Sequence, residues 1–378
     1  MKKFQGQEEY FGFGSIKNLD TILHKESYKE IFLVTGHNSY KLSGSEDILK
    51  EIFQKNNIRF TRFCNFSSNP KEEEIRRGFK IFNQNNNNYD LIIAVGGGSC
   101  IDVSKKIKLD YYEETKQKIP LIAIPTTAGS GSEATYFIVY YKGKKKQSSG
   151  NLEITLPEYT IVDPQFTMSL PKKIAAATGI DALGQSIESY WSINSNKQSK
   201  EFSKQAIKCL INNLEISVNS TDPELKKQAK YYVMAGANLA GKAINITKTT
   251  ACHSIAYPMT SYFRVLHGHA VGLTLGQMLI FNSFISGKDC ADFRGPDYVK
   301  KTTRELTFLL GGHNEKEAAR NITSLMHKIG LETRLSKLGI NERRKNIIIK
   351  EGFKLERVKN NPRKLTLESL RDILDRIS

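Results

Sequence analysis

Residues 91–102 of the chain read LIIAVGGGSCID, an apolar run followed by three glycines and the start of a helical pattern. The apolar run Leu91–Val95 is typical of a strand buried in a parallel sheet. Three glycines, residues 96–98, follow it and lead through Ser99 into a helical pattern. Glycines let the backbone approach a pyrophosphate, and a helix N-terminus offers free N–H groups to it. The pattern predicts a dinucleotide loop, although a purely structural turn would also use these glycines.

Strand and helix patterns alternate on both sides of this stretch. Ile31–Thr35 and Leu121–Pro125 are further apolar strand patterns, and Pro70–Asn83 is a polar segment compatible with a helix. Tyr136–Tyr141 predicts a small antiparallel excursion before a last strand at Tyr159–Asp163. The alternation predicts a doubly wound α/β domain with a mainly parallel sheet.

Strand patterns largely stop at Pro171, and long helical patterns replace them. We place the boundary there. This predicts a dinucleotide-binding α/β domain over residues 1–171 and an all-helical, metal-binding and substrate domain over residues 172–378.

A second loop, PTTAGSGSE at residues 125–133, also follows a predicted strand. It is dense in hydroxyl groups and small residues, which suit a phosphate, although a hydroxyl-rich turn or helix cap has the same composition. Two such loops in succession favour cofactor binding.

A candidate metal site comes from the helical half. Asp181 and Gln185 are four residues apart, hence on one helix face, and Glu188 lies on the same side. His253 and His267 follow downstream, with a predicted helix break after Pro258 between them. One carboxylate and two imidazoles suit Fe²⁺ or Zn²⁺. Each residue alone is equally compatible with an ordinary helix face or a capped histidine.

Composition narrows the class of protein. The net charge of +17 invites a nucleic-acid interpretation. The basic clusters are short, for example Lys144–Lys146, and no nucleic-acid-binding motif accompanies them, so a solvated basic surface is favoured. The five cysteines form no CxxC pair, which argues against disulfides and a thiolate zinc site. No signal peptide or membrane span is visible, so we expect a cytoplasmic protein without a membrane partner.

The motifs together resemble those of the iron-containing (group III) alcohol dehydrogenase family. The residues that carry the resemblance are GGGSxxD at 96–102, PTTxGSGSE at 125–133, Val162–Pro164 and Asn360–Arg363. The resemblance implies an oxidoreductase, expected as a homodimer, with a catalytic cleft between its two domains. It also implies that the cofactor is lined by Asn69, Gly97, Gly98, Ser99, Asp102, Thr126, Thr127, Ser130 and Lys146.

The chain departs from many NAD-using relatives after its first predicted strand. Those relatives carry an Asp there, whereas residues 35–38 of this chain are Thr-Gly-His-Asn. A carboxylate accepts hydrogen bonds from the adenosine ribose and repels a 2′-phosphate. Its absence leaves both NADH and NADPH open as cofactors.

The metal ligands implied by the family come from a DAxxH helix and two downstream histidines, which Asp181, His253 and His267 match. Gln185 stands where relatives have a histidine, and its amide oxygen is a weaker ligand. Tyr257 stands where relatives often have a proton-relaying histidine. Tyr257 and His269 are therefore the candidate proton donors.

Polar residues near the predicted ligands suggest the substrate. Lys248, Arg264, Asn245 and Trp191 are candidates for binding an anionic group, although the cations also suit an exposed helix surface. Residues 240–253 and the ESYWSxNS segment from Glu188 resemble the phosphonoacetaldehyde reductase subgroup of the family. The expected reaction is phosphonoacetaldehyde to 2-hydroxyethylphosphonate. The alternatives are a reductase of uncharged aldehydes or diols, a dehydroquinate-synthase-like cyclase, and, most distantly, a basic nucleic-acid-binding protein.

Overall fold

The structure is a computed structural model that describes residues 2–84, 88–143, 145–353 and 355–378. Lys144 of the basic cluster lies outside the described residues. The chain forms two compact units, which we call unit 1 (residues 1–170) and unit 2 (residues 171–378).

Unit 1 contains a seven-stranded sheet and a two-stranded hairpin among its described residues. The strands are β1 (Lys2–Phe4), β2 (Gln7–Phe11), β3 (Glu30–Thr35), β4 (Arg59–Phe63), β5 (Leu91–Gly96), β6 (Leu121–Pro125), β7 (Ile138–Lys142), β8 (Lys145–Ser149) and β9 (Tyr159–Val162). The large sheet has the order β1-β2-β9-β6-β5-β3-β4, and only the β1–β2 pair in it is antiparallel. Strands β7 and β8 form the antiparallel excursion.

Helices cover both faces of this sheet. They are α1 (Asn18–Lys25), α2 (Ser39–Leu42), α3 (Ser45–Lys55), α4 (Glu72–Phe82), α5 (Gly98–Thr115) and α6 (Leu152–Thr155). Alternation along β3 explains the two layers, because Ile31 and Leu33 pack in one core with Leu49 of α3. Phe32 and Val34 point the other way, into a core with residues of α4 and α5. The doubly wound, mainly parallel prediction is confirmed.

Unit 2 consists of helices joined by loops, and its described residues contain no strand, only an isolated bridge between Cys290 and Arg363. Its helices are α7 (Lys172–Trp191), α8 (Lys197–Asn219), α9 (Pro223–Thr247), α10 (Ala251–Phe263), α11 (His267–Ser283), α12 (Pro296–Leu309), α13 (Glu315–Lys328), α14 (Glu342–Gly352), α15 (Leu355–Val358) and α16 (Leu367–Asp375). Side-chain caps fix several starts; Asp222, for example, accepts from two backbone N–H groups at the start of α9.

One helix boundary was predicted wrongly. The sequence suggested a break after Pro258, but α10 continues through this proline to Phe263 and ends where Arg264 adopts a left-handed conformation, with φ of 59°. Every residue from 251 to 260 is buried. Tertiary packing therefore keeps the helix intact despite the hydrogen bond that a proline cannot donate.

Among the helices that the structure describes, none is long and apolar enough to cross a membrane.

Candidate functional site

Unit 2 brings together the three strong metal ligands that the sequence predicted. One ligand atom from each of Asp181, His253 and His267 lies within 4.8 Å of the others. His253 Nε2 is 3.4 Å and His267 Nε2 is 4.0 Å from Asp181 Oδ1. Asp181 and His253 are buried, whereas the His267 side chain is 30% exposed. This is a cluster of one oxygen and two nitrogens with one accessible side.

The donor atoms fit a divalent metal. His253 Nε2 is buried, and within the described part of the chain it has no partner with hydrogen-bond geometry. Burial lowers the pKa of His253, but the negative charges of Glu188 and Asp181 and the hydrogen bond with Glu188 outweigh burial and raise the pKa to about 10. The surroundings of His253 therefore stabilise positive charge, which a bound cation also supplies.

Glu188 orients His253. Its Oε2 is hydrogen-bonded to His253 Nδ1, while Oε1 accepts from the Thr250 hydroxyl at 2.7 Å and the Cys252 backbone N–H at 2.6 Å. Burial raises the pKa of Glu188, but His253 and these hydrogen bonds bring it below its usual value. A carboxylate that engages Nδ1 leaves Nε2 directed at the metal. The sequence placed Glu188 on the correct helix face but did not predict this function.

Trp191 lies behind this carboxylate. The side chain is 1% exposed, and its indole N–H donates to Thr250 Oγ1 at 3.0 Å. The structure thus gives Trp191 a supporting position in the Glu188 network rather than a surface open to a substrate. The contact between Trp191 and Thr250 joins residues 59 positions apart, which local sequence patterns do not reveal.

Gln185 lies beside the ligands in α7. Its amide nitrogen donates to Asp181 Oδ2 at 3.2 Å, and the side chain is 4% exposed. In this arrangement Gln185 orients Asp181. Its coordination of the metal stays a prediction.

Gly268 allows α11 to approach α7. A Cβ atom at this position would lie 2.0 Å from the Ala177 carbonyl oxygen and 2.6 Å from Asp181 Cβ. Because these atoms belong to the backbone and first side-chain carbon of α7, they have little freedom to move. The close approach sets the position of His267 relative to Asp181.

The two candidate proton donors differ in their surroundings. The Tyr257 ring stacks on His267, with centroids 5.9 Å apart and 20° between the planes. His269 Nε2 is instead hydrogen-bonded to the Glu332 carbonyl, and burial lowers the pKa of His269. The contact with His267 favours Tyr257 over His269 as the candidate proton donor.

The junction between α9 and α10, residues 247–250, contains Lys248, one of the four predicted substrate residues, and lies next to His253 in the chain. Lys248 ends α9 with φ of 60° and is exposed, as is Arg264 at the end of α10. Asn245 is buried in α9. The side chains of Lys248 and Arg264 are therefore exposed to solvent, whereas the Asn245 amide is not.

Two motif asparagines fix this junction. Asn194 Nδ2 donates to the Thr247 carbonyl at 3.3 Å, and Asn360 Nδ2 donates to the Thr249 carbonyl at 3.1 Å. Thr250 is bound to Glu188 at the junction's far end. Both asparagines belong to motifs quoted in the sequence analysis, and the structure gives them a positioning role.

In unit 1 the two predicted loops pack against each other. A Cβ on Gly97 would lie 3.2 Å from the Thr127 side chain, and one on Gly98 would lie 2.5 Å from Ser130 Oγ. The glycines are therefore needed for loop packing as well as for any close approach of a cofactor. Ser99 donates to the carbonyl of Ser68, which brings the segment containing Asn69 to the same loop.

Asp102 and Lys105 connect α5 to the second loop. Asp102 accepts from Ser132 Oγ at 2.6 Å, and Lys105 Nζ donates to the carbonyls of Ser132, Thr135 and Phe137 at 2.5, 2.6 and 3.1 Å. Burial raises the pKa of Asp102 and lowers that of Lys105 to about 8. The positive charge of Lys146 also lowers the pKa of Asp102, although burial outweighs it. Lys105 was missed because a helix lysine usually faces solvent.

Thr126, which directly follows β6, has a buried hydroxyl oxygen. This Oγ1 atom has no hydrogen-bond partner among the described residues. Such an atom fits a ligand that supplies the missing bond, as the phosphate or ribose groups of a dinucleotide would.

Comparisons with known proteins cover both units. Residues 7–164 match the model of the iron-containing alcohol dehydrogenase family, and residues 175–378 match the family's C-terminal model. The phosphonoacetaldehyde reductase of Streptomyces viridochromogenes is 31% identical over 307 residues, which cover 75% of each chain. The NAD-dependent methanol dehydrogenase of Bacillus methanolicus is 26% identical, with 96% of each chain covered.

A solved structure extends the likeness. The sulfoacetaldehyde reductase of Bifidobacterium kashiwanohense, solved in complex with NAD⁺, is 27% identical, covers 100% of this chain and 98% of its own, and has a TM-score of 0.83. The family matches span nearly the whole sequence, so this chain belongs to the iron-containing alcohol dehydrogenase family and is an oxidoreductase of that type.

Proposed function

We propose that the chain is a metal-dependent, NAD(P)H-linked reductase of a small anionic aldehyde, with phosphonoacetaldehyde as substrate and 2-hydroxyethylphosphonate as product. The observation that carries this proposal is the fixed junction at residues 247–250, which presents an exposed Lys248. Glu188 holds both this junction and His253. The phosphonoacetaldehyde and sulfoacetaldehyde reductases among the similar proteins support an anionic substrate.

Unit 1 would hold the cofactor. The glycine loop before α5 offers backbone N–H groups to the pyrophosphate, and Thr126 offers its hydroxyl. Asp181, His253 and His267 would hold the metal; their donor types suit both Fe²⁺ and Zn²⁺. When bound, the metal supplies a Lewis acid for the carbonyl group, and the reduced nicotinamide supplies a hydride.

The remaining steps belong to side chains of unit 2. Lys248 and Arg264 bind the anionic group and orient the aldehyde. Tyr257 Oη donates one proton to the aldehyde oxygen. The overall reaction would convert aldehyde, NAD(P)H and that proton to alcohol and NAD(P)⁺. Solvent then returns a proton to Tyr257.

Lys105→Met tests the support of the cofactor loops. The change leaves two buried carbonyls and one partly buried carbonyl in unit 1 without their cationic donor, so we expect the second loop to lose its fixed position. The Kd for NAD(P)⁺ should rise about tenfold, measured by calorimetry. Lys106→Met is the matched control, because Lys106 forms an ion pair with Asp110 of its own helix and should leave the Kd unchanged. Equal Kd values for the two variants would contradict the role of Lys105.

Lys248→Met tests substrate recognition. A charge-assisted contact contributes about 1.5–3 kcal/mol, so kcat/KM for phosphonoacetaldehyde should fall roughly tenfold to a hundredfold. Propionaldehyde, which has no anionic group, should lose much less. The assay follows NADH and NADPH oxidation by enzyme reconstituted with Fe²⁺ or Zn²⁺.

Lys227→Met, near the other end of α9, is the control and should behave as wild type. Damage to the metal or cofactor would lower the rates with both aldehydes together. Equal losses, or a wild-type enzyme without preference for the anionic aldehyde, would instead indicate a general aldehyde reductase. A cyclase of the dehydroquinate synthase type would show no net cofactor oxidation.

A further inference from the structure

Residues 35–41, which run from the end of β3 through a short loop into α2 and are called here the loop after β3, adjoin the glycine loop in unit 1. Strands β3 and β5 are parallel neighbours, and the Gly36 backbone N–H donates to the Val95 carbonyl at 3.3 Å. In doubly wound sheets a dinucleotide lies across the carboxyl ends of adjacent strands. A pyrophosphate at the glycine loop therefore places the adenosine ribose at the loop after β3.

Arg62 borders this loop from the edge strand β4. Its Nε donates to Thr35 Oγ1 at 2.8 Å, and its Nη2 lies 3.3 Å from the His37 carbonyl oxygen. The guanidinium carbon is 4.9 Å from the centre of the Tyr40 ring. These contacts fix the plane of an otherwise exposed side chain.

The anchoring contacts use Nε and Nη2, so Nη1 keeps both N–H groups without a protein acceptor in the described part of the chain. A planar, pre-positioned guanidinium is well suited to a phosphate. Residues 35–41 contain no carboxylate to repel one, and Lys41 adds a second positive charge. The pKa of Glu46 is lowered by its hydrogen bond with Lys50, 2.9 Å away, and also by the positive charge of Arg62. The Glu46 carboxylate is therefore paired with Lys50.

We infer that Arg62 binds the 2′-phosphate of NADP(H), and that this chain prefers NADP(H) to NAD(H). The inference rests on the nicotinamide cofactor of the proposed function and adds the choice between its two forms. Arg62 is a specificity-determining residue that touches the cofactor away from the reacting carbon, so its effect appears in binding.

The test compares ligands that differ only in the 2′-phosphate. Wild-type protein is titrated by calorimetry with NADP⁺ and NAD⁺, and with adenosine 2′,5′-bisphosphate and AMP. We expect at least about tenfold tighter binding of the phosphorylated member of each pair. Arg62→Gln should remove most of this difference and leave the Kd for NAD⁺ within about twofold, whereas Arg62→Lys should retain part of it.

Arg59→Gln is the matched control. Arg59 lies on the same strand but pairs with Glu30 at the opposite end of β3, so all four Kd values should stay unchanged. Equal wild-type binding of the two members of each pair, or equal weakening of both by Arg62→Gln, would overturn the inference. If Arg62→Gln does not fold, the wild-type comparison still decides. Binding of neither dinucleotide would overturn the proposed function as well.

Discussion

Replacing His267 by alanine should remove the bound metal and lower aldehyde reduction by about three orders of magnitude, equivalent to about 4 kcal/mol of transition-state stabilisation. The reason is the small number of strong donors in the cluster, which consists of one carboxylate and two imidazoles. Gln185 offers at best a weak amide oxygen in their support. Metal content after gel filtration and kcat/KM for the aldehyde are the measurements.

His313→Ala controls for the loss of a histidine from the same unit, since the His313 side chain is exposed and outside the cluster. It should keep wild-type metal content and turnover. Chelator-treated wild-type protein should match His267→Ala. A His267→Ala protein with full metal content and full turnover would show that the centre lies elsewhere.

Gly268→Ala should impair the same centre without altering any ligand. The added methyl group would meet the Ala177 carbonyl oxygen and the Asp181 backbone, so α11 must move away from α7. A displacement of about 1 Å at a catalytic centre typically costs about a hundredfold in rate. We expect a loss of that size in metal affinity and in kcat/KM, and a lower melting temperature.

Gly287→Ala is the matched control, because a Cβ there meets nothing within 4 Å and its φ is not positive. Its metal affinity and melting temperature should equal those of wild type. Wild-type metal affinity in a folded Gly268→Ala protein would mean that the two helices adjust without moving the ligands apart.

The sequence predicted the buried strands of unit 1 well because burial on both faces leaves a continuous apolar run, as in β5. It was less informative for β4, whose residues Arg59–Phe63 lie at the sheet edge and are mostly exposed. An edge strand needs no apolar run. Arg62, which lies on this strand, was therefore missed along with it.

The predicted metal ligands could be identified from the sequence, whereas the residues that position the ligands and loops could not. Asp181, His253 and His267 were predicted from residue type and from the resemblance to a family. The function of Glu188 depends on contacts with residues 62 to 65 positions away, and that of Lys105 on carbonyls 27 to 32 positions away. Local periodicity contains no information about such pairings. Tertiary packing also explains why α10 continues through Pro258, which the sequence did not predict.

The junction at residues 247–250 has a consequence for how enzymes with this architecture diverge. Its carbonyls are held by Asn194 and Asn360, and its last hydroxyl by Glu188, which also holds His253. An insertion or deletion here would displace His253, a predicted metal ligand, together with the loop. With Lys248 as the proposed substrate-binding residue, new substrate ranges are expected to arise by exchanging side chains at constant loop length, and a library built to test this should randomise residue 248 while keeping the spacing to His253.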